Sequence, residues 1–82
     1  MKRMNVNREE LESLICRVLN INPNEEKSDW LNQSVDSFTL VKAVVVIEEE
    51  YDLELNLELF ATESVITIDI FITIVLNYLL SI

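Results

Sequence analysis

An all-α fold is predicted by three features of this 82-residue sequence. Two stretches carry apolar residues at helical spacing, each directly behind a side chain that can cap a helix. A third, strongly apolar stretch follows a threonine that can also serve as a cap. There is no repeat, no low-complexity tract and no Gly-rich linker to mark a second domain. We therefore predict one helical domain over residues 1–82.

The first predicted helix starts after Asn7, which is suited to cap it, with Glu10 three residues later as the partner of a capping box. Asn20 or Asn22 can end the helix in the left-handed conformation that Gly usually adopts. Between them, apolar residues recur at helical spacing: Leu11, Leu14, Ile15, Val18 and Leu19. The sequence thus predicts an amphipathic helix at the start of the domain.

Residues 22–35 are polar and lose this periodicity, apart from Trp30 and Leu31. A loop of such length without secondary structure is unusual in a compact domain. Either this segment carries function or it contains a short turn of helix, and Trp30 is the expected anchor.

The second long helix is predicted to begin at Ser37, with Asp36 as its cap. The Asp36 carboxylate can accept hydrogen bonds from backbone N–H groups of the first turn, which have no partner inside the helix. An apolar stripe for the core follows at spacings of four, three and four: Leu40, Val44, Ile47 and Tyr51.

A second apolar line on the same helix consists of Phe38, Val41 and Val45, and it runs toward Glu48 and Glu49. If this line is exposed, an apolar surface that ends in acids is suited to binding another protein. If the buried face of the helix is wide, both lines belong to the core instead. Periodicity alone favours neither alternative.

The last third of the sequence has weaker local signals. Residues 53–64 hold enough apolar side chains for a short helix or an irregular apolar segment. Further on, isoleucines alternate from Ile66 to Ile74 as they would in a strand. Residues at helical spacing behind Thr67 also predict a helix, and we favour it because a lone strand would have no pairing partner: Ile68, Phe71, Ile72, Val75 and Leu79.

The residue types exclude most familiar active sites. The sequence has no His and a single Cys, Cys16, so histidine acid–base catalysis, Cys–His pairs and the usual zinc sites are not possible. We predict no catalytic residue, no metal site and no enzymatic activity, and a carrying or binding role fits better. A single Cys without a leader sequence predicts a reducing, cytoplasmic location.

The net charge is −9, of which −8 falls from Asp36 onward, where Lys42 is the only base. Such a field repels nucleic acid and anionic membranes and attracts basic proteins, although acids can also serve only to keep an apolar domain soluble. The most apolar stretch, "VITIDIFITIVLNYLLSI", is interrupted by Asp69 and Asn77. We therefore expect no nucleic-acid partner and no membrane span.

The stretch "VDSFTLVKAVVVIEEEYDLEL" resembles the second helix of the acyl carrier protein family. The resemblance lies in the triplet Asp36-Ser37-Phe38, the apolar spacing behind it, and the "EEEYD" run that ends the helix. The capped first helix, the long loop and the Thr67-Ile68 start of the last helix also lie where the family has them. The resemblance therefore spans nearly the whole chain.

This resemblance implies a four-helix carrier-protein bundle with three long helices and one short helix. It also implies that 4′-phosphopantetheine is attached covalently to Ser37, while Asp36 helps to present Ser37 to a phosphopantetheinyl transferase. The arm would hold acyl or aminoacyl groups as thioesters, supplied by a loading ligase and used by downstream synthases. The surface that meets these partners would comprise Phe38, Val41, Lys42, Val45, Glu48 and Glu49.

Three departures from the family pattern bear on the pathway. Ser34 stands where the family often has Gly, and Lys42 stands where an acid is common. The segment 57–71 is longer than in fatty-acid carriers and is more similar to carriers of peptide synthetases and of D-alanine transfer. We expect a free-standing, monomeric carrier of a specialised fatty-acid, polyketide or peptide-type pathway, in lipid or secondary-metabolite biosynthesis. The alternative is a helical interaction module without a prosthetic group.

Overall fold

The computed structural model describes residues 6–22, 24–61 and 64–81. Within these ranges the chain forms α1 (Arg8–Leu19), α2 (Lys27–Leu31), α3 (Ser37–Tyr51) and α4 (Ile68–Ser81). A 3₁₀ helix, Leu57–Phe60, lies between α3 and α4. The prediction of an all-α bundle with three long helices and one short helix is confirmed.

The three long helices begin at the side chains that the sequence indicates. The Glu10 N–H donates to Asn7 Oδ1 over 2.9 Å at the start of α1, and the Ile70 N–H donates to Thr67 Oγ1 over 3.1 Å at the start of α4. Asn20 ends α1 with φ 60°, in the left-handed region. These local hydrogen bonds fix the ends of the helices before any tertiary contact is considered.

The short helix α2 lies inside the segment 22–35, so the alternative of a concealed helical turn is correct. Its five residues bury a single large side chain, Trp30, as expected. Within 53–64, the regular structure is the 3₁₀ helix, while residues 62 and 63 lie outside the described ranges. Both short elements carry one aromatic into the core, Trp30 and Phe60 respectively.

The core joins all the helices. Phe60 stacks on Phe71 of α4 with ring centroids 5.1 Å apart, which ties the 3₁₀ helix to the last helix. All five residues that predicted a helix behind Thr67 are buried, so the helical alternative for this segment is confirmed. The largest fully buried side chains come from α1, α3 and α4: Phe71, Leu11, Ile15, Ile47, Ile72, Leu79 and Val75.

A buried acid outside the apolar stripe connects three helices. The Glu12 side chain on α1 is only 8 % exposed, and its two oxygens lie 3.0 Å from Arg8 Nε and 2.8 Å from Lys27 Nζ. Arg8 also pairs with Asp69 on α4 and donates to Thr73 Oγ1 over 3.1 Å. A buried carboxylate needs such partners, since burial without them would be costly. The network therefore fixes α2 and α4 against α1.

The hydroxyl of Tyr51, at the end of α3, donates to Glu10 Oε1 over 3.0 Å. Burial, together with this hydrogen bond to a carboxylate, raises the pKa of Tyr51 above its ordinary value, so the phenol stays protonated. Burial likewise raises the pKa of the Cys16 thiol on α1. In the part of the chain that the structure describes, no helix combines the length and apolar character needed to cross a membrane.

Candidate functional site

The first turn of α3 is organised by Asp36. Its backbone is extended (φ −78°, ψ 168°), and its Oδ1 accepts a hydrogen bond from the Thr39 N–H over 2.7 Å. The hydrogen bond from the Thr39 backbone lowers the pKa of Asp36, because it favours the ionised carboxylate. A negative charge at this end of a helix is also favoured by the helix dipole.

Ser37 is the first residue of α3 and is exposed to solvent. Among the described residues, none forms a hydrogen bond with its hydroxyl, so no neighbouring base is placed to activate it. The sequence also contains no His that could do so. The Ser37 hydroxyl is therefore open to a group supplied by another protein.

The backbone that leads into α3 is held against the start of α4. The Val35 N–H donates to the Ile66 carbonyl over 2.7 Å, and the Ile68 N–H donates to the Gln33 carbonyl over 2.9 Å. These bonds form an antiparallel bridge between Ser34 and Thr67. The bridge joins segments more than 30 residues apart, and so it fixes the direction in which α3 begins.

Ser34, which replaces the Gly often found in the resembled family, does not require a Gly conformation. Among the described residues, positive φ angles occur at Asn20 and Asp52 alone, both of which end a helix. Asn and Asp tolerate this conformation better than other non-Gly residues. The turn into α3 is therefore compatible with a chain that contains no Gly.

A groove of about 350 Å³ opens beside the first two turns of α3. It is shaped by the end of α1, by the bridged segment before α3 and by the start of α4. Its walls come from residues 18–21, residues 33–35, Phe38, Thr39, Lys42 and Ile68. No sequence pattern indicated this groove, because its walls come from segments far apart in the chain.

The second apolar line of α3 is exposed. Phe38 is 81 % exposed, Val41 45 % and Val45 44 %, so the alternative that both lines are buried is wrong. The predicted core stripe lies on the other side, where Val44, Ile47 and Tyr51 are buried and Leu40 is half-buried. Beside the exposed line, Lys42 is also exposed. The helix therefore separates a core face from an apolar outer face.

The two acids beyond this line differ in their surroundings. Glu49 is exposed, whereas Glu48 is half-buried and its Oε2 accepts a hydrogen bond from the Leu55 N–H over 2.8 Å. Glu48 therefore holds the segment after α3, a structural role that the sequence did not indicate. At a rise of 1.5 Å per residue, both acids lie roughly 16–18 Å along the helix from Ser37.

The Asp36 cap should make stability pH-dependent in a defined direction. In the folded protein the pKa of the Asp36 carboxyl lies below its ordinary value of 3.8. The ionised cap therefore stabilises the fold fully above pH 3.8, and this stabilisation is lost as the pH falls through the lower pKa of the folded state. Asp36→Asn keeps a capping oxygen and removes the titrating group. We expect urea midpoints of the wild type to fall more steeply than those of Asp36→Asn below pH 3.8. Parallel curves for the two proteins would contradict this.

A helical bundle that presents an exposed hydroxyl at the capped start of a helix is the architecture of a carrier domain. The family model described as "Phosphopantetheine attachment site" matches residues 9–67, well over half of the chain. The chain therefore belongs to this family, and the resemblance to acyl carrier proteins is confirmed. Comparisons with curated proteins and with solved structures find no match.

The cofactor of this family is covalently attached 4′-phosphopantetheine. The start of α3 fits such a group. Ser37 offers an exposed hydroxyl, and the N-terminus of a helix is a favourable place for a phosphate, because its N–H groups and dipole attract anions. The Asp36 cap uses the Thr39 N–H and does not engage the Ser37 hydroxyl.

Proposed function

We propose that this chain acts as one carrier domain that holds acyl or aminoacyl intermediates on a phosphopantetheine arm attached to Ser37. The observation that carries the proposal is the exposed hydroxyl of Ser37 at the capped start of α3, inside the matched range 9–67. Its pathway is a specialised one in lipid, polyketide or peptide-type biosynthesis, as the departures at Ser34 and Lys42 suggest. The proposed setting is a cytoplasmic monomer.

Attachment makes Ser37 a substrate of a phosphopantetheinyl transferase. The Ser37 oxygen forms a new ester bond to phosphorus, the pyrophosphate bond of coenzyme A breaks, and adenosine 3′,5′-bisphosphate leaves. The hydroxyl proton passes to a base of the transferase, since no described residue of this chain forms a hydrogen bond with the Ser37 hydroxyl. Asp36 and the bridge before α3 keep the hydroxyl at the surface throughout.

When attached, the arm supplies a terminal thiol that carries its cargo as a thioester. The chain's own residues hold the attachment point and provide the surface on which other proteins dock. Half of the sequence is apolar, yet only six large apolar side chains are exposed among the described residues. Three of these six follow Ser37 on one face of α3. This clustering supports a docking role for that face.

Partners of the proposed carrier are the transferase, an acyl- or aminoacyl-loading ligase, and downstream synthases. Each would meet an apolar centre of Phe38, Val41 and Val45, with charged residues around it. Apolar centres mainly set residence time, whereas charged rims mainly set encounter rate and exclude wrong partners. Lys42 and Glu49 belong to this rim, and Glu48 contributes less because it is engaged with Leu55.

Intact mass after incubation with a broad-specificity transferase and coenzyme A tests the proposal. We expect a gain equal to one phosphopantetheinyl group on the folded protein. A folded protein that gains no mass would instead favour a helical interaction module without a prosthetic group. The exposed apolar face of α3 would serve such a module equally well.

A pair of variants tests the docking face. We expect Val41→Asp to slow processing by all partner enzymes, because it places a charge in the apolar centre. Lys42→Glu should improve processing by housekeeping fatty-acid enzymes, which use basic patches, and weaken processing by the native partner. Rates are measured with both enzyme sets at low salt, where surface charge acts most strongly.

A side chain outside this face supplies the control for these rates. Glu58 is exposed on the 3₁₀ helix between α3 and α4, and Glu58→Lys makes a charge reversal of the same size as Lys42→Glu. Equal rates for Lys42→Glu and the wild type with both enzyme sets would show that Lys42 takes no part in partner choice.

A further inference from the structure

We propose that the groove beside the start of α3 receives the distal end of the carried group, and that Lys42 selects cargo ending in a carboxylate. The inference rests on the proposed function, since the cargo reaches the groove only through an arm on Ser37. It assigns a chemical class to a cargo that family membership leaves open.

The first support is that Lys42 has no anionic partner among the described residues. Of the four cations in the described part of the chain, Arg8, Arg17 and Lys27 each lie within 4.0 Å of a carboxylate oxygen. Lys42 lies in no ion pair with any described residue, although the chain carries 15 acids. An exposed cation in so acidic a chain is therefore available to an external anion.

The second support is the composition of the groove. Its walls include apolar side chains such as Leu19, Val35, Phe38 and Ile68, and polar side chains without formal charge. None of the described residues that line it is acidic, and among them Lys42 alone carries a formal charge. A cargo with an apolar body and an anionic end would complement both the apolar walls and the Lys42 ammonium.

The same lining disfavours two other cargo classes. An aminoacyl group carries a free ammonium, which would meet the like charge of Lys42 with no carboxylate in the groove to hold it. A plain alkyl chain would contact the apolar walls and leave Lys42 without a partner. The resemblance to carriers of D-alanine and of peptide synthetases therefore does not extend to the charge of the cargo.

The size of the groove and the position of Lys42 limit the length of the cargo. A volume of 350 Å³ is near the lower end of small-molecule sites, so the groove suits a short cargo. Lys42 follows Ser37 by five residues, which places its backbone about 7.5 Å further along the helix axis. The arm's phosphate would be held at the first turn, whereas Lys42 lines the groove beyond that turn.

Loaded forms of the protein test the inference without any partner enzyme. The transferase attaches three arms of equal length that carry amide-linked chains ending in a carboxylate, a methyl group or an ammonium, and intact mass verifies each product. We expect the carboxylate form to unfold about 2–5 °C above the methyl form, as for an ordinary surface ion pair in a small domain. The ammonium form should not exceed the methyl form.

Two variants that each remove one positive charge supply the control. The carboxylate-dependent rise in Tm should disappear in Lys42→Gln and persist in Arg17→Gln, because Arg17 does not line the groove and pairs with Glu50. The rise should also shrink at about 1 M salt, where the screening length is about 3 Å.

The outcomes separate the two proposals. Loading without a carboxylate-dependent rise in Tm would overturn the cargo assignment alone. A drop in Tm caused by Lys42→Gln in the cargo-free arm-bearing protein, equal to that in the carboxylate form, would show that the effect of Lys42 does not depend on the cargo, which also overturns it. Failure of every arm to attach would refute the proposed function, and the cargo assignment with it.

Discussion

Ser37→Ala is expected to abolish phosphopantetheine attachment completely and to leave the fold intact. The attachment oxygen is removed, while the Asp36 carboxylate still accepts the Thr39 N–H that caps α3. Ala is also a good helix former, so the first turn gains no penalty. Intact mass after treatment with transferase and coenzyme A measures attachment, and circular dichroism and thermal unfolding verify the fold.

The neighbouring hydroxyls provide the control for this variant. Ser34 lies in the bridge before α3, and Thr39 is half-buried in the first turn, so neither is presented as Ser37 is. Ser34→Ala and Thr39→Ala should both remain substrates. Attachment that persists in Ser37→Ala, at either of these residues, would show that the attachment point is misassigned.

The long helices were predictable because their signals are local. Asn7, Asp36 and Thr67 each accept a hydrogen bond from an N–H three residues later, a contact encoded within four residues. The apolar stripes behind these caps then define the buried faces. For α4, local propensity favoured a strand, and the argument that a lone strand lacks a partner led to the correct helix.

Other features depend on contacts between distant segments, which no periodicity records. The short helix α2 has five residues and one buried side chain, too few for a pattern. The burial of Glu12 depends on Lys27 of α2 and Arg8, which in turn contacts Asp69 of α4. The Ser34–Thr67 bridge likewise joins residues that are far apart in the chain.

In the candidate site, too, some features lie within one helix and others depend on distant segments. Asp36, Ser37 and the exposed apolar line belong to one helix, so their relative positions follow from helical geometry. Whether that line is buried depended on how wide a face of α3 the other helices cover, and only the tertiary structure shows it. Lys42 was predicted as part of a partner surface, but the groove that it lines is formed by distant segments.

The contact between the 3₁₀ helix and α4 is where a single truncation should cost the most stability. Phe71 is 2 % exposed and stacks on Phe60 at a centroid distance of 5.1 Å. The domain is small, so its total stability is expected near the lower end of about 5–15 kcal/mol. A large cavity at this position would remove much of that total.

Phe71→Ala is expected to lower the free energy of unfolding by about 3–5 kcal/mol, because it loses a buried ring and leaves a cavity. Leu80→Ala, on the same helix but 64 % exposed, should change it by less than about 0.5 kcal/mol. Urea unfolding measures both. Phe71→Ala should also reduce phosphopantetheine attachment in proportion to the unfolded fraction, whereas Ser37→Ala abolishes it in a folded protein. A Phe71→Ala protein as stable as Leu80→Ala would contradict the packing described for α4.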